Sequence, residues 1–195
     1  MAERRRCPTG RWAWPWLLCT AWLLLPAAGW AAAGSPGGDF TLTDHNGQPY
    51  RLSRARGRVV ILFFGYTRCP DVCPTGLATL SAALRDLEAL QIQVQALFVS
   101  LDPEHDTPAI LRDYVRYFSP DLIGLTGSPA EIATVAGMYR VSHTRRTRGD
   151  GGYTLDHTAS YYLLDPRGKL AAIVPFGLPP EHIVSLVRNL LRETR

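Results

Sequence analysis

An α/β fold, with a central mixed sheet flanked by helices and an added N-terminal hairpin, is what this 195-residue sequence predicts. Three observations lead there. Residues 59–64 (VVILFF) form an unbroken apolar run between Gly57 and Gly65, the pattern of a strand buried on both faces. Strand-like segments then alternate with segments whose apolar residues recur at helical spacing, as in a βαβ unit. The chain closes on two strand-like segments and an amphipathic helix. A 46% hydrophobic content with five Trp is enough for one real core.

The elements follow in order. Residues 40–43 and 50–52 flank Asn46-Gly47, a dipeptide suited to a two-residue hairpin turn. After the strand at 59–64, Pro74 fits the first turn of a helix, and Leu77, Leu80, Leu84 and Leu87 continue one face of it. Residues 94–101 read as a second core strand ending at Asp102-Pro103. Thr107-Pro108 starts a helix to about Phe118, and Ser128-Pro129-Ala130-Glu131 is a capping box that opens another to about Met138. Residues 160–165 and 169–174 pair around Pro166-Arg167-Gly168 as a hairpin. Pro179-Pro180-Glu181 begins the final helix, with Ile183, Leu186, Val187, Leu190 and Leu191 on one face.

The chemistry is concentrated where the first core strand hands over to its helix. Cys69 and Cys73 lie four residues apart there, and positions i and i+4 of a helical turn share a face. The two thiols can converge on one metal ion or close on each other. A helix N-terminus also favours the thiolate. A CxxxC after the first core strand, in this order of elements, makes the pattern thioredoxin-like.

The remaining cysteines belong to a leader. Residues 1–33 read as an export signal: a basic region ending at Arg11, an uncharged stretch rich in Trp and Leu, a break at Pro26, and Ala31-Ala32-Ala33 as a cleavage site. Cleavage after Ala33 is the expectation. Because no charge appears between Arg11 and Asp39, retention as a membrane anchor is the alternative. Residues 34–38 form a Gly/Pro linker, and 39–195 the folded domain. In an oxidising, exported setting that domain keeps two cysteines. A purely structural disulfide is the bland reading, but a bridge closing so small a loop removes little unfolded-state entropy.

Charge excludes one large class of function. The formal net charge is +4, yet four of the 21 basic residues and one of the 17 acidic ones fall in the first eleven positions. The 17 basic and 16 acidic residues left leave the domain nearly neutral, which removes the main support for nucleic-acid binding. Twenty Arg against one Lys, with abundant Ala, Gly and Pro, fits a GC-rich genome and hence a bacterial periplasm.

Three blocks now coincide. Gly65-Tyr66-Thr67-x-Cys69-Pro70-Asp71-Val72-Cys73-Pro74, then Ser100-Leu101-Asp102-Pro103-Glu104-x-Asp106-Thr107, then Tyr153-x-Leu155-Asp156-His157-Thr158 with Asp165-Pro166-x-Gly168 resemble the Sco/SenC proteins, in their order and spacing. The resemblance spans roughly residues 39 to 195. It implies an exported or membrane-anchored thioredoxin-like domain that binds copper, as Cu(I) or Cu(II), through Cys69, Cys73 and His157. It also implies a metallochaperone that supplies copper to, or reduces the cysteines of, the copper A subunit of cytochrome c oxidase. Another periplasmic copper chaperone or a thioredoxin-like reductant would be a further partner. The donor types agree with that cargo, since thiolates suit Cu(I) and imidazole suits both oxidation states. A closed four-Cys zinc site lacks the cysteines.

Competing readings are weighed on the same residues. Without the resemblance, His157 is little better than His105 as a ligand, while His45, His143 and His182 read as solvated. Asp156 precedes His157 on extended backbone and faces the other way, so it reads as structural. Asp71 is read as tuning charge beside the sulfurs without being a ligand. Asp102, Glu104 and Asp106 resemble an acid–base cluster, but strand-end Asp-Pro segments more often cap turns and helices. Arg140, Arg145, Arg146 and Arg148 fall in a Gly-rich loop whose bland reading is a solvated mobile loop and whose functional reading is steering of an acidic face on the acceptor protein or electron donor. A thiol–disulfide oxidoreductase or a copper or redox sensor, using Cys69 and Cys73 as the redox pair, is the alternative function. Whether the chain is an enzyme stays open at this point. A peroxiredoxin would need a Pro-x-x-x-Thr-x-x-Cys setting that residues 65–73 do not supply.

Overall fold

A computed structural model describes residues 35–149 and 151–193. The expected leader, residues 1–33, and its expected cleavage site lie outside the described residues. The chain forms a seven-stranded mixed sheet whose strands lie, edge to edge, in the order Pro49–Arg51, Thr41–Asp44, Leu122–Thr126, Val94–Ser100, Val59–Gly65, Ser160–Leu164, Leu170–Pro175. Its parallel centre is β3 (Val59–Gly65), β4 (Val94–Ser100) and β5 (Leu122–Thr126). The hairpin of β8 (Ser160–Leu164) and β9 (Leu170–Pro175) runs antiparallel to β3 on one side. On the other side, β1 (Thr41–Asp44) and β2 (Pro49–Arg51) add an antiparallel hairpin to β5.

The strict two-residue period of β3 divides the core. Val59, Ile61 and Phe63 face α1 (Val72–Asp86), α2 (Pro108–Phe118) and α4 (Pro180–Glu193), whose buried residues include Leu77, Leu80, Leu111, Val115, Ile183 and Val187. Val60, Leu62 and Phe64 face α3 (Pro129–Met138), through Ile132, Val135 and Ala136, together with Tyr139 and the N-terminal hairpin. All seven residues of β3 are buried, as the apolar run predicts.

Local signals place most boundaries. Thr107 caps α2, its hydroxyl accepting from the Ile110 N–H at 3.4 Å, and Pro108 takes the first helical position. Ser128 and Glu131 form the reciprocal capping box at α3.

Four expectations change. The first hairpin has a three-residue connection, because Asp44 and Gln48 still pair through Asp44 N–H to Gln48 O at 2.8 Å, and Gly47 closes the turn at φ 78°. His45, in that turn, is not solvated. It is buried, its Nδ1 accepts the Gly124 N–H at 3.0 Å, and burial holds its pKa below the usual histidine value. Strand β5 was not distinguished in the sequence. Finally, the arginine-rich stretch is not a mobile loop: β6 (His143–Thr147) pairs antiparallel with β7 (Tyr153–His157) as a separate two-stranded ribbon.

Candidate metal centre

The centre lies where β3 ends, α1 begins and β7 arrives. Gly65, the last residue of β3, lets the helix close on the strand, since a Cβ there would stand 2.7 Å from Cys73 Sγ and 2.9 Å from Phe98 Cε2. Residues 67–71 then form a partly exposed turn. Cys73 occupies the second position of α1 and is fully buried, while Cys69 lies in the preceding turn, half-buried, rather than on the helix itself. The Cys73 N–H points at Cys69 Sγ across 3.4 Å, so the outer sulfur sits as an anion at the helix N-terminus.

His157 ends β7, 84 positions along from Cys73, and its Nε2 stands 3.4 Å from Cys73 Sγ. Its Nδ1 lies 3.1 Å from the carbonyl oxygen of Thr158, a contact that aims Nε2 at the sulfurs. Cys69, Cys73 and His157 each offer one ligand atom, and the three atoms lie within 4.8 Å of one another. Cys69 and His157 border an open cleft of about 420 Å³ lined also by Tyr66, Pro70 and Leu155, with Cys73 buried behind them.

The two thiols share one proton unequally. Hydrogen bonding from Cys73 pulls Cys69 down to about 3 against the cost of burial, helped by His157 and the N–H groups of Asp71 and Cys73. Hydrogen bonding to Cys69, then burial and repulsion from that thiolate, drive Cys73 far above the ordinary range. The two sulfurs are not joined in a disulfide. The low pKa means that the Cys69 thiolate persists as pH falls through neutrality. Its alkylation rate is therefore expected to stay nearly flat from about pH 8 to about pH 5, with Cys73 unreactive. A rate falling tenfold per pH step, as for an ordinary thiol, would contradict this arrangement.

The surrounding residues act as braces. Asp106 is fully buried, and its carboxylate accepts from Thr67 N–H at 3.0 Å, Thr67 Oγ1 at 2.6 Å and Ser100 Oγ at 2.5 Å. This ties the cysteine turn to the end of β4. Asp102 accepts from the Tyr153 hydroxyl at 2.6 Å and from Arg68 at 3.2 Å. The Arg68 and Arg145 guanidinium carbons stand 4.3 and 3.6 Å from the Tyr153 ring centroid. The Tyr66 hydroxyl accepts the Leu155 N–H at 3.2 Å; burial first, and then the cysteine sulfurs, raise its pKa. These contacts fasten the β6–β7 ribbon, and with it His157, to the cysteine turn.

The other sequence candidates fall away from the sulfurs or change role. The Asp102 and Asp106 carboxylates do not cap a helix as the turn-and-cap reading expects, since Thr107 caps α2 and the two reach across to Arg68, Tyr153, Thr67 and Ser100, while Glu104 pairs with Arg145 at 3.0 Å. His105 faces Asp106 at 3.1 Å. Asp156 is exposed and pairs with Arg146 at 2.8 Å, on the face opposite His157. The exposed Asp71 carboxylate lies toward Thr75, 3.5 Å away, while its backbone N–H serves Cys69. His182 is exposed, and His143 is half-buried instead of solvated. The bracing roles of Tyr66, Thr67, Ser100 and Tyr153 were not read from the sequence, although all four stand inside the three motif blocks.

Known proteins share this architecture. A family model described as SCO1/SenC matches residues 31–192. A SCO2-like protein of Rickettsia conorii is 35% identical over 156 residues, covering 78% of this chain and 76% of its own. The mitochondrial SCO1 homolog 1 of Arabidopsis thaliana is 42% identical over 171 residues, 87% of this chain but 49% of that longer protein. The structure of Bradyrhizobium japonicum ScoI with copper bound matches with a TM-score of 0.75 at 43% identity, over 80% of this chain and 100% of that one. With a thioredoxin-like fold in common and a family model that spans most of its length, this chain belongs to the SCO1/SenC family.

Proposed function

We propose that this protein is a copper-binding metallochaperone, with Cys69, Cys73 and His157 as the donors, that supplies copper to the copper A subunit of cytochrome c oxidase. The observation that carries the reading is the approach of two sulfurs and one imidazole nitrogen, from segments far apart in sequence, to within 4.8 Å of one another. Copper-bound relatives of the same fold support the choice of ion. Two thiolates suit Cu(I), and the imidazole suits either oxidation state. The half-exposed Cys69 beside an open cleft leaves room for an acceptor's ligands to enter one at a time, so the cargo passes without a free-ion stage. Uptake displaces the proton held by Cys73, and apparent affinity therefore weakens as pH falls.

The thiol–disulfide reading is the weaker one. A thiolate of pKa about 3 is fully formed but intrinsically a poor nucleophile, whereas low basicity does not prevent it from holding a soft cation. Residues 1–33, with the basic and apolar stretches described above, support export to a bacterial periplasm, where the domain is either released by cleavage or kept at the inner membrane.

Anaerobic titration of the reduced protein with Cu(I), against a competing chelator, tests the proposal. One tightly held ion per chain is expected. No retention against the chelator, or retention that survives loss of both thiols, would refute it.

A further inference from the structure

Strand pairing brings a second imidazole to the metal end of the β6–β7 ribbon. His143 opens β6, His157 closes β7, and the two are direct partners in register. The Thr158 N–H donates to the Ser142 carbonyl at 2.9 Å one step further on. That makes 143/157 the narrow, non-hydrogen-bonded kind of pair, with Cα atoms about 4.5 Å apart and both side chains leaving the same face. The face is the inner one, because Leu155, two positions from His157, is buried in the core.

His143 has nothing else to do there. Its ring is half-buried, has no hydrogen-bond or ion-pair partner among the described residues, and is not one of the three clustered donors. It borders a separate cleft of about 300 Å³ with Asp102, Glu104 and Leu155, which gives the ring room to turn. The three clustered donors satisfy Cu(I). Cu(II) prefers a four-donor tetragonal set richer in nitrogen.

We propose that His143 is the fourth donor for oxidised copper, its imidazole turning about the side-chain bonds to complete a two-sulfur, two-nitrogen set with Cys69, Cys73 and His157. This rests on the copper reading of the site. The cargo is thereby held by one more bond as Cu(II) than as Cu(I).

The test compares the wild-type chain with His143→Phe and His143→Gln, each loaded with Cu(II) or Cu(I) and checked for an unchanged thermal transition. Pulsed electron paramagnetic resonance should count two coordinated imidazoles in the wild type and one in both variants. Loss of Cu(II) to a chelator should accelerate by about tenfold or more, while Cu(I) affinity changes less than about twofold. A single imidazole in the wild type, or an unchanged spectrum in both variants, overturns the inference and leaves the three-donor site standing. Failure of the wild type to hold copper at all would remove both.

Discussion

Replacing Cys73 by Ser lowers Cu(I) affinity by well over about 100-fold, beyond the loss that substitutions of a metal ligand's supporting partners produce. Cys73 is fully buried, and its sulfur is contacted from both sides, by a side-chain hydrogen bond with Cys69 and by His157 Nε2 at 3.4 Å. A hydroxyl there is a hard donor of much higher pKa, so the soft cation loses its most enclosed ligand. Cys69→Ser has an effect of the same order. His157→Ala costs less, about 10- to 100-fold, because two thiolates remain and Cu(I) tolerates low coordination. The measurement is chelator competition under anaerobic conditions. An affinity in His157→Ala equal to that of the wild type would remove the imidazole from the donor set.

Asp106→Ala destabilises the fold by about 3 kcal/mol and weakens copper binding without removing a donor. The buried carboxylate receives three hydrogen bonds, two from Thr67 and one from Ser100, and His105 faces it as well. Hydrogen bonds to a charged group contribute about 1.5–3 kcal/mol each, and the Ser100 hydroxyl, fully buried, is left without its acceptor. Thr67 is two residues from Cys69, so the strain is felt at the outer sulfur. Asp106→Asn keeps the shape and part of the acceptor capacity and should cost about 1 kcal/mol. Urea denaturation gives the stability change, and Cu(I) competition on the folded variant gives the coupling to the site. Wild-type stability in Asp106→Ala would mean that the cysteine turn is held by something else.

Much of the architecture was legible in the sequence because the signals are local. The apolar run of β3, the capping residues Thr107 and Ser128 and the leucine spacing of α1 each describe a preference that a short segment has by itself. Strand β5 was missed because five residues between two helices carry too little period. Strand β6 was missed because its exposed arginines look like solvent-facing loop. In the structure Arg145 lies against the Tyr153 ring and pairs with Glu104, and Arg146 pairs with Asp156, so their charges are used across the ribbon.

His45 marks the same boundary between local and distant information. A histidine beside Asn-Gly reads as exposed, and only the docking of the first hairpin on β5 buries it against the Gly124 N–H.

The sequence by itself determined the donor types, the spacing of the two cysteines and the strand-to-helix setting that makes one of them a thiolate. Tertiary structure alone decided that an imidazole 84 positions from Cys73 meets its sulfur, that Asp106 reaches back to the cysteine turn, and that His143 stands opposite His157. The reason is physical: helix caps and apolar periods are settled by neighbours along the chain. The meeting of distant side chains depends instead on sheet order and strand register, which form only when the whole core is packed.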